Sequence, residues 1–315
     1  MLNRLLRLSL LLTMIFSPGF IYSAELGWAD PDTLPDDPDE DLEDDERALQ
    51  ISLGKKLFFD NDLSGDRSMS CATCHNPDFG YSDGMVTSLG SKGKVPRNSP
   101  TIYNLAWAPV LLWDGRANDI NDMAVKPIKA GKVMNLPYPE LLKRLKANKE
   151  YPKMFKKLYD DGITVVNIGK AIGAFERSII VNDSPFDRYM KGDKAAMIPE
   201  AVNGLAIFKG KGKCVKCHDG INLTDYSFHN IGLKSKDIGR GKFDKKYMNA
   251  FKTPGLRNIA LTSPYMHDGS LGTLDEVVDF YDRGGDVKNK ALSPLKLTDK
   301  EKRDLISFLG ALTSK

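Results

Sequence analysis

Apolar residues recur at helical spacing along most of the chain, and alternating strand patterns are scarce. Leu49, Leu53, Leu57 and Phe58 share one face of a first predicted helix. Leu141, Leu142 and Leu145 mark a second after Pro139, with Phe155 and Leu158 continuing the pattern beyond Pro152. Ile168, Ile172, Phe175 and Ile179 mark another. Near the C-terminus, Thr273 with Glu276 and Thr298 with Glu301 have the spacing of capping boxes, which satisfy the free amides of a helix's first turn. The first of these helices carries Val277, Val278 and Tyr281 and should stop at Gly284-Gly285; the second carries Leu305, Ile306, Leu309 and Leu312. The expected fold class is mainly α, with long loops.

The pattern also repeats. Gly54-Lys55-Lys56-Leu57-Phe58 precedes Cys71-Ala72-Thr73-Cys74-His75, and Gly204-Leu205-Ala206-Ile207-Phe208 precedes Cys214-Val215-Lys216-Cys217-His218. An apolar helix before a Cys-x-x-Cys-His string in each half implies two similar units. Their boundary is expected between Phe186 and Glu200, giving an N-terminal unit over 47–190 and a C-terminal unit over 191–315.

The N-terminal residues break the pattern. Arg4 and Arg7 flank the apolar run Leu5 to Ile15, Pro18 and Gly19 interrupt it, and Ser23-Ala24 offers small residues for cleavage. This is the layout of a signal peptide over 1–24, so the protein is expected in the periplasm. The run is short for a retained membrane span, and no cysteine lies nearby for a lipid anchor. An acidic, proline-containing stretch follows over 25–46 and reads as a solvated tail.

Bulk composition adds little. The 315 residues are 41% apolar and 28% charged, with a formal charge of +3. That excess, without a dense basic run, gives no reason to expect a nucleic-acid partner.

The four cysteines are the informative residues. Cys71 and Cys74 form one Cys-x-x-Cys-His string with His75, and Cys214 and Cys217 form the other with His218. This is the attachment pattern of c-type haem: two thiols one turn apart form thioethers with the vinyl groups, and the adjacent histidine becomes the proximal iron ligand. A disulfide, a zinc site and a thioredoxin-type pair are the alternatives. Two copies that consume every cysteine, each followed at once by histidine, favour two covalent haems. The only other histidines are His229 and His267, and none lies between 76 and 217. The first haem therefore has no distal histidine from its own unit, and an open iron face can bind peroxide. Met85, Met123 and Met134 are alternative distal ligands.

Further strings carry a resemblance. They are Arg97-Asn98-Ser99-Pro100-Thr101, Trp113-Asp114-Gly115-Arg116, Phe228-His229-Asn230-Ile231-Gly232, Thr253-Pro254-Gly255-Leu256-Arg257-Asn258 and Pro264-Tyr265-Met266-His267-Asp268-Gly269. With the two haem strings, and in this order from about Leu49 onward, the chain resembles the bacterial dihaem cytochrome c peroxidase family, which includes MauG. The resemblance implies two cytochrome c-like domains packed together, a peroxide-reacting N-terminal haem and an electron-transfer C-terminal haem. It makes Trp113 the bridging tryptophan, His267 a non-ligand histidine near the active region, Asn98 a side-chain calcium ligand, and Thr262 and Pro264 carbonyl calcium ligands. It also makes Tyr281, fourteen residues beyond His267, the distal ligand of the second haem, as in MauG-like members; Met248 and Met266 are the fallback ligands. Tyrosinate stabilises oxidised iron.

One departure stands out. Where many family members carry a distal glutamine and an acid–base glutamate, this chain has Met123 and Val133, and neither can move a proton. The expected function is a periplasmic haem oxidoreductase using hydrogen peroxide. Its electrons would come from a small cytochrome or cupredoxin, or from a protein side chain in MauG-like fashion; the sequence leaves the oligomeric state open, a homodimer being one option. A pure dihaem electron carrier is the alternative from another class, and a gas-binding sensory module ranks below it.

Overall fold

The computed structural model describes residues 43–314. The signal-peptide segment and the acidic stretch up to residue 42 lie outside them. Nine α-helices are formed among the described residues: α1 Asp44–Phe58, α2 Ile120–Lys129, α3 Tyr138–Ala147, α4 Tyr151–Leu158, α5 Val165–Arg177, α6 Pro185–Met190, α7 Pro199–Lys209, α8 Leu274–Asp282 and α9 Asp299–Ala311. Two short antiparallel pairs complete the regular structure: β1 Leu89–Gly90 with β2 Gly93–Lys94, and β3 Phe228–His229 with β4 Phe251–Lys252. The mainly helical class is as expected. One boundary shifts: Asp44, Asp45 and Glu46 form the acidic first turn of α1 rather than tail, where carboxylates complement the positive end of the helix dipole. Both expected capping boxes are formed, at Thr273 and at Thr298.

Two buried apolar clusters divide the chain. One runs from Leu53 to Ile179 and is built on α1, α2, α3, α4 and α5. The other runs from Phe186 to Leu312 and is built on α7, α8 and α9. Each is organised around one close helix crossing, α1 on α5 and α7 on α9. A Cβ placed on Gly54 would collide with the Ala171 carbonyl, and one on Gly204 with the Asp304 carbonyl. The repeated glycine is therefore the residue that lets two helix backbones touch. Four residues on, Phe58 meets Phe175 with centroids 5.1 Å apart, and Phe208 meets Phe308 at 5.0 Å. The repeat read in the sequence is thus a repeated packing device.

Gly204→Ala should lower stability by about 1–3 kcal/mol, because overpacking outweighs the gain in helix propensity. Gly310→Ala lies in α9 with open space around it and should raise stability by about 0.5–1 kcal/mol. Thermal melts followed by circular dichroism check both; equal shifts for the two would refute the crossing argument.

Candidate dihaem site

Each cysteine motif is a single tight turn. In the first, Ser70 caps the turn Cys71–Thr73, with its N–H donating to Thr73 Oγ1 at 3.0 Å. The His75 N–H then donates to the Cys71 carbonyl at 3.0 Å. In the second, the His218 N–H donates to the Cys214 carbonyl at 2.9 Å. This winding places both thiols and the histidine of each motif on one compact unit. The rings are clamped alike: His75 Nδ1 lies 3.2 Å from the Tyr81 carbonyl, and His218 Nδ1 lies 3.0 Å from the Leu223 carbonyl. A carbonyl at Nδ1 requires the proton there, which leaves Nε2 as the free lone pair for a metal. Tyr81 and Leu223 reach those positions through left-handed backbone, with φ of 56° and 54°.

None of the four cysteines is disulfide-bonded. Burial pushes the Cys71 and Cys74 thiols up, and that of Cys214 up to about 12. A reactive redox pair needs the opposite, a depressed thiol. The half-buried thiols of Cys71, Cys74 and Cys214, held in the neutral form beside a histidine with a free Nε2, suit thioether attachment. The second motif opens on a cavity of about 540 Å³ whose walls include Cys214, Cys217, His218, Leu256, Val278, Leu305 and Leu309. Tyr281 lines the same cavity. Burial first, then the Cys214 and Cys217 sulfurs, push its phenol upward. A largely apolar cavity with a histidine and a tyrosine aimed into it fits a haem.

The two halves meet along a reciprocal bridge. The Asn98 N–H donates to the His267 carbonyl at 2.9 Å, and the Lys252 N–H donates to the Trp113 carbonyl at 2.8 Å. These pairs are related by a duplication longer than the repeat in the sequence analysis. Asn98-Ser99-Pro100 corresponds to Lys252-Thr253-Pro254. Asn104 corresponds to Asn258, each with φ 56°. Trp113-Asp114-Gly115 corresponds to His267-Asp268-Gly269, and the bridge Leu111 to Ala117 to the bridge Tyr265 to Leu271. The helix caps follow, Asp119 for α2 and Thr273 for α8. Trp113 and His267 are therefore equivalent residues, and they face each other edge-on, 6.5 Å between centroids. His267 is 4% exposed, stacks on Phe251 at 3.6 Å and has Nε2 3.2 Å from Ser235 Oγ. Trp113 donates its indole N–H to the Asn98 carbonyl at 3.0 Å.

The same register gives a sharper result. Tyr281 lies fourteen residues beyond His267, and the residue fourteen beyond Trp113 is Pro127, inside α2. Proline has no side-chain atom that can ligate a metal. Of the alternative first-haem ligands, Met134 is packed at 2% exposure in the first core, Met85 is exposed, and Met123 is half-buried on α2. Val133 is partly buried against the first core.

Charges lock the bridge. Asp114, 2% exposed, accepts from Arg97 at 2.7 Å and from Arg116 at 2.5 Å, and Arg97 also donates to Asp237 at 2.6 and 3.0 Å. Arg97 thus ties the first half to the second, over the face of Phe251. Asn98, Thr262 and Pro264, the residues expected to offer oxygen donors to calcium, all line the large cavity. His229, the remaining histidine, pairs with Asp225 at 2.8 Å.

Two site residues escaped the sequence reading. Lys252 lines the cavity. Glu176, at the end of α5, stands near enough to raise the Cys71 thiol electrostatically, and burial pushes its own carboxyl up to about 8. Its equivalent in the second half is Leu309, by the match of Phe175 to Phe308. Aligning the two helix crossings would have exposed it as a charged residue at an apolar position.

Fold and site define a class: a mainly helical protein of two cytochrome c-like units, each with a Cys-x-x-Cys-His turn, joined by a Trp–His contact. The profile of the di-haem cytochrome c peroxidase family matches residues 48–195. The chain is 42% identical to the methylamine utilization protein MauG of Methylorubrum extorquens, over 84% of this chain and 78% of that protein. It is 34% identical to cytochrome-c peroxidase IdrP2 of Denitromonas iodatirespirans, over 99% of this chain and 92% of that one. Among solved structures, a MauG-like protein associated with microbial copper homeostasis superposes with a TM-score of 0.83 at 30% identity, covering 90% of this chain and 93% of that one. The chain belongs to the di-haem cytochrome c peroxidase family, and it is a peroxidase-like haem enzyme.

The Glu176 carboxyl gives a pH prediction. Its folded pKa, about 8, lies above the ordinary value of 4.5. Stability that depends on the neutral acid is therefore present below about pH 4.5 and lost as pH climbs towards 8. Glu176→Gln should flatten that slope, removing a loss of up to a few kcal/mol, as read from denaturant melts across the range. An unchanged slope would refute the assignment.

Proposed function

We propose that this protein is an exported dihaem oxidoreductase that reduces hydrogen peroxide at its first haem and draws electrons through its second. The observation that carries this is the replacement of Tyr281 by Pro127 at the equivalent position. One site has a phenol to cap its iron, and the other has a ring that cannot. Haem iron with an open face supplies peroxide binding and its two-electron reduction; two protons must also arrive to give two molecules of water. Cys71 and Cys74 hold the first group and His75 orients it; Cys214, Cys217 and His218 do the same for the second. Trp113, wedged against His267, shortens the path between them.

The electron source is a small cytochrome or cupredoxin, or a side chain of a protein substrate. The phenol of Tyr281 and the absence of an acid at Val133 and Met123 favour the second source. Tyrosinate ligation stabilises oxidised iron, and slow proton delivery lets oxidising equivalents persist long enough for a protein to be oxidised. Asn98, Thr262 and Pro264 would hold one calcium ion that stiffens the bridge, and the functional unit would be a homodimer. No helix among the described residues is long and apolar enough to cross a membrane, and residues 1–24 read as the export signal.

Visible and spin-resonance spectra before and after one equivalent of peroxide test this reading. A high-spin and low-spin pair that peroxide oxidises supports it; two low-spin haems inert to peroxide would instead make the protein an electron carrier. Tyr281→Phe should alter the low-spin spectrum and leave the high-spin one, and an unaltered spectrum would remove Tyr281 as a ligand. Val133→Glu should raise kcat/KM for peroxide by about 10²-fold, the lower end of what a positioned acid contributes; no gain in stopped-flow assays would show that proton delivery does not limit the rate.

A further inference from the structure

The reciprocal bridge is symmetric in backbone but not in charge. Asn98 and Lys252 occupy equivalent positions, each giving its amide to the other half's aromatic residue. Asn98 is neutral, and its Nδ2 donates to the Met85 carbonyl at 2.9 Å. Lys252 instead brings an amine to the wall of the second cavity. Its protein partners are poor: the Thr253 carbonyl at 3.3 Å and the face of Tyr226 at 5.5 Å. Asp225 acts on it only through space, because that carboxylate is held by His229 at 2.8 Å and by the Ser227 N–H at 2.9 Å. No carboxylate lies within ion-pair distance of Lys252 among the described residues. Burial accordingly pulls its pKa down to about 8.

A cation turned into a largely apolar cavity without a counter-ion is costly, and folds retain one when the occupant brings the opposite charge. Haem does so. Its vinyl groups are consumed by the cysteines, and its two propionates remain as carboxylates. We propose that Lys252 is the cationic partner of a propionate of the haem held by Cys214, Cys217 and His218, and that it holds that haem's reduction potential up. The inference rests on the dihaem reading above. The sign follows from Coulomb's law. A nearby positive charge favours the ferrous state, which carries one positive charge fewer, and the effect is strong where solvent is excluded. Lys252 would thus offset part of the lowering that Tyr281 imposes on the same iron, keeping the second haem reducible by a donor.

The test uses the haem-loaded protein and the variants Lys252→Met and Lys252→Arg. Mass spectrometry first counts the attached haems, and spectroelectrochemical titration then follows the low-spin one. At the potential where the wild-type second haem is half reduced, Lys252→Met should lower its ferrous-to-ferric ratio by about tenfold, or ~59 mV for a one-electron couple. Lys252→Arg should stay within about twofold of wild type, since the charge is kept. Should Lys252→Met fail to accumulate, Lys252→Gln loses the charge alone and is read in the same way. An unchanged ratio in a charge-free variant with both haems attached would overturn the role of Lys252 and leave the dihaem reading standing. A wild-type protein without two attached haems would overturn the dihaem reading itself.

Discussion

Two backbone hydrogen bonds hold this architecture together at its functional centre. Asn98 reaches the carbonyl of His267, and Lys252 reaches the carbonyl of Trp113. Each half thus fixes the backbone of the other's aromatic residue, and neither backbone can shift without breaking a bond across the bridge. Arg97 reinforces the join by holding Asp114 of one half and Asp237 of the other. Buried charge pairs are poor sources of net stability, but they define geometry closely because misalignment leaves a charge unpaired. Asp114 keeps one oxygen without a partner, so the fold tolerates an electrostatic cost at the point where Trp113 is positioned. On the reading proposed above, electron transfer across this bridge would need fixed separations, and the join would provide them.

The scaffold is duplicated, and function enters where the copies differ. Gly54 and Gly204 make the same helix crossing, and His75 and His218 have the same carbonyl clamp. Among the equivalent positions that have diverged, four stand near the site: Trp113 and His267, Asn98 and Lys252, Pro127 and Tyr281, and Glu176 and Leu309. Each of these four changes alters charge, ligating capacity or aromatic character. On the reading proposed above, a symmetric frame becomes a machine with an entry haem and a reacting haem through a handful of side chains, while the packing that carries them stays common to both halves.

Much of this was legible in the sequence, for identifiable reasons. Helices and caps were readable because their signals are local: Thr273 and Glu276 sit three residues apart and find each other in any helix start. The haem turns were readable because attachment chemistry requires fixed spacing. The glycine repeat was visible, although its meaning, a backbone contact with a helix residue 100 or 117 positions away, was not. The long duplication went unread because the residues the two copies share, such as Pro100 and Pro254, Asn104 and Asn258, or Asp114-Gly115 and Asp268-Gly269, are scattered among substituted ones. The matching left-handed φ of Asn104 and Asn258 shows only in the backbone. Lys252 and Glu176 gave no signal, since a lysine or glutamate in a loop or at a helix end reads as solvated until tertiary structure buries it.

The remaining chemical question concerns protons. Cleaving the peroxide O–O bond requires a proton at the departing oxygen, and Val133 supplies none. The carboxyl of Glu176 is held near neutrality in pKa by burial, the range in which an acid can both donate and recover a proton. It approaches Cys71, on the attachment side of the first motif, whereas the absent glutamate would have belonged to the segment following α2. On the reading proposed above, a proton from Glu176 would have to come from the Cys71 side rather than from the segment following α2. Such a route would be slower than direct donation from an acid at the position of Val133. On that reading the difference would favour long-lived oxidising equivalents over rapid peroxide removal, in keeping with a hard anionic donor supplied by Tyr281 at the partner site.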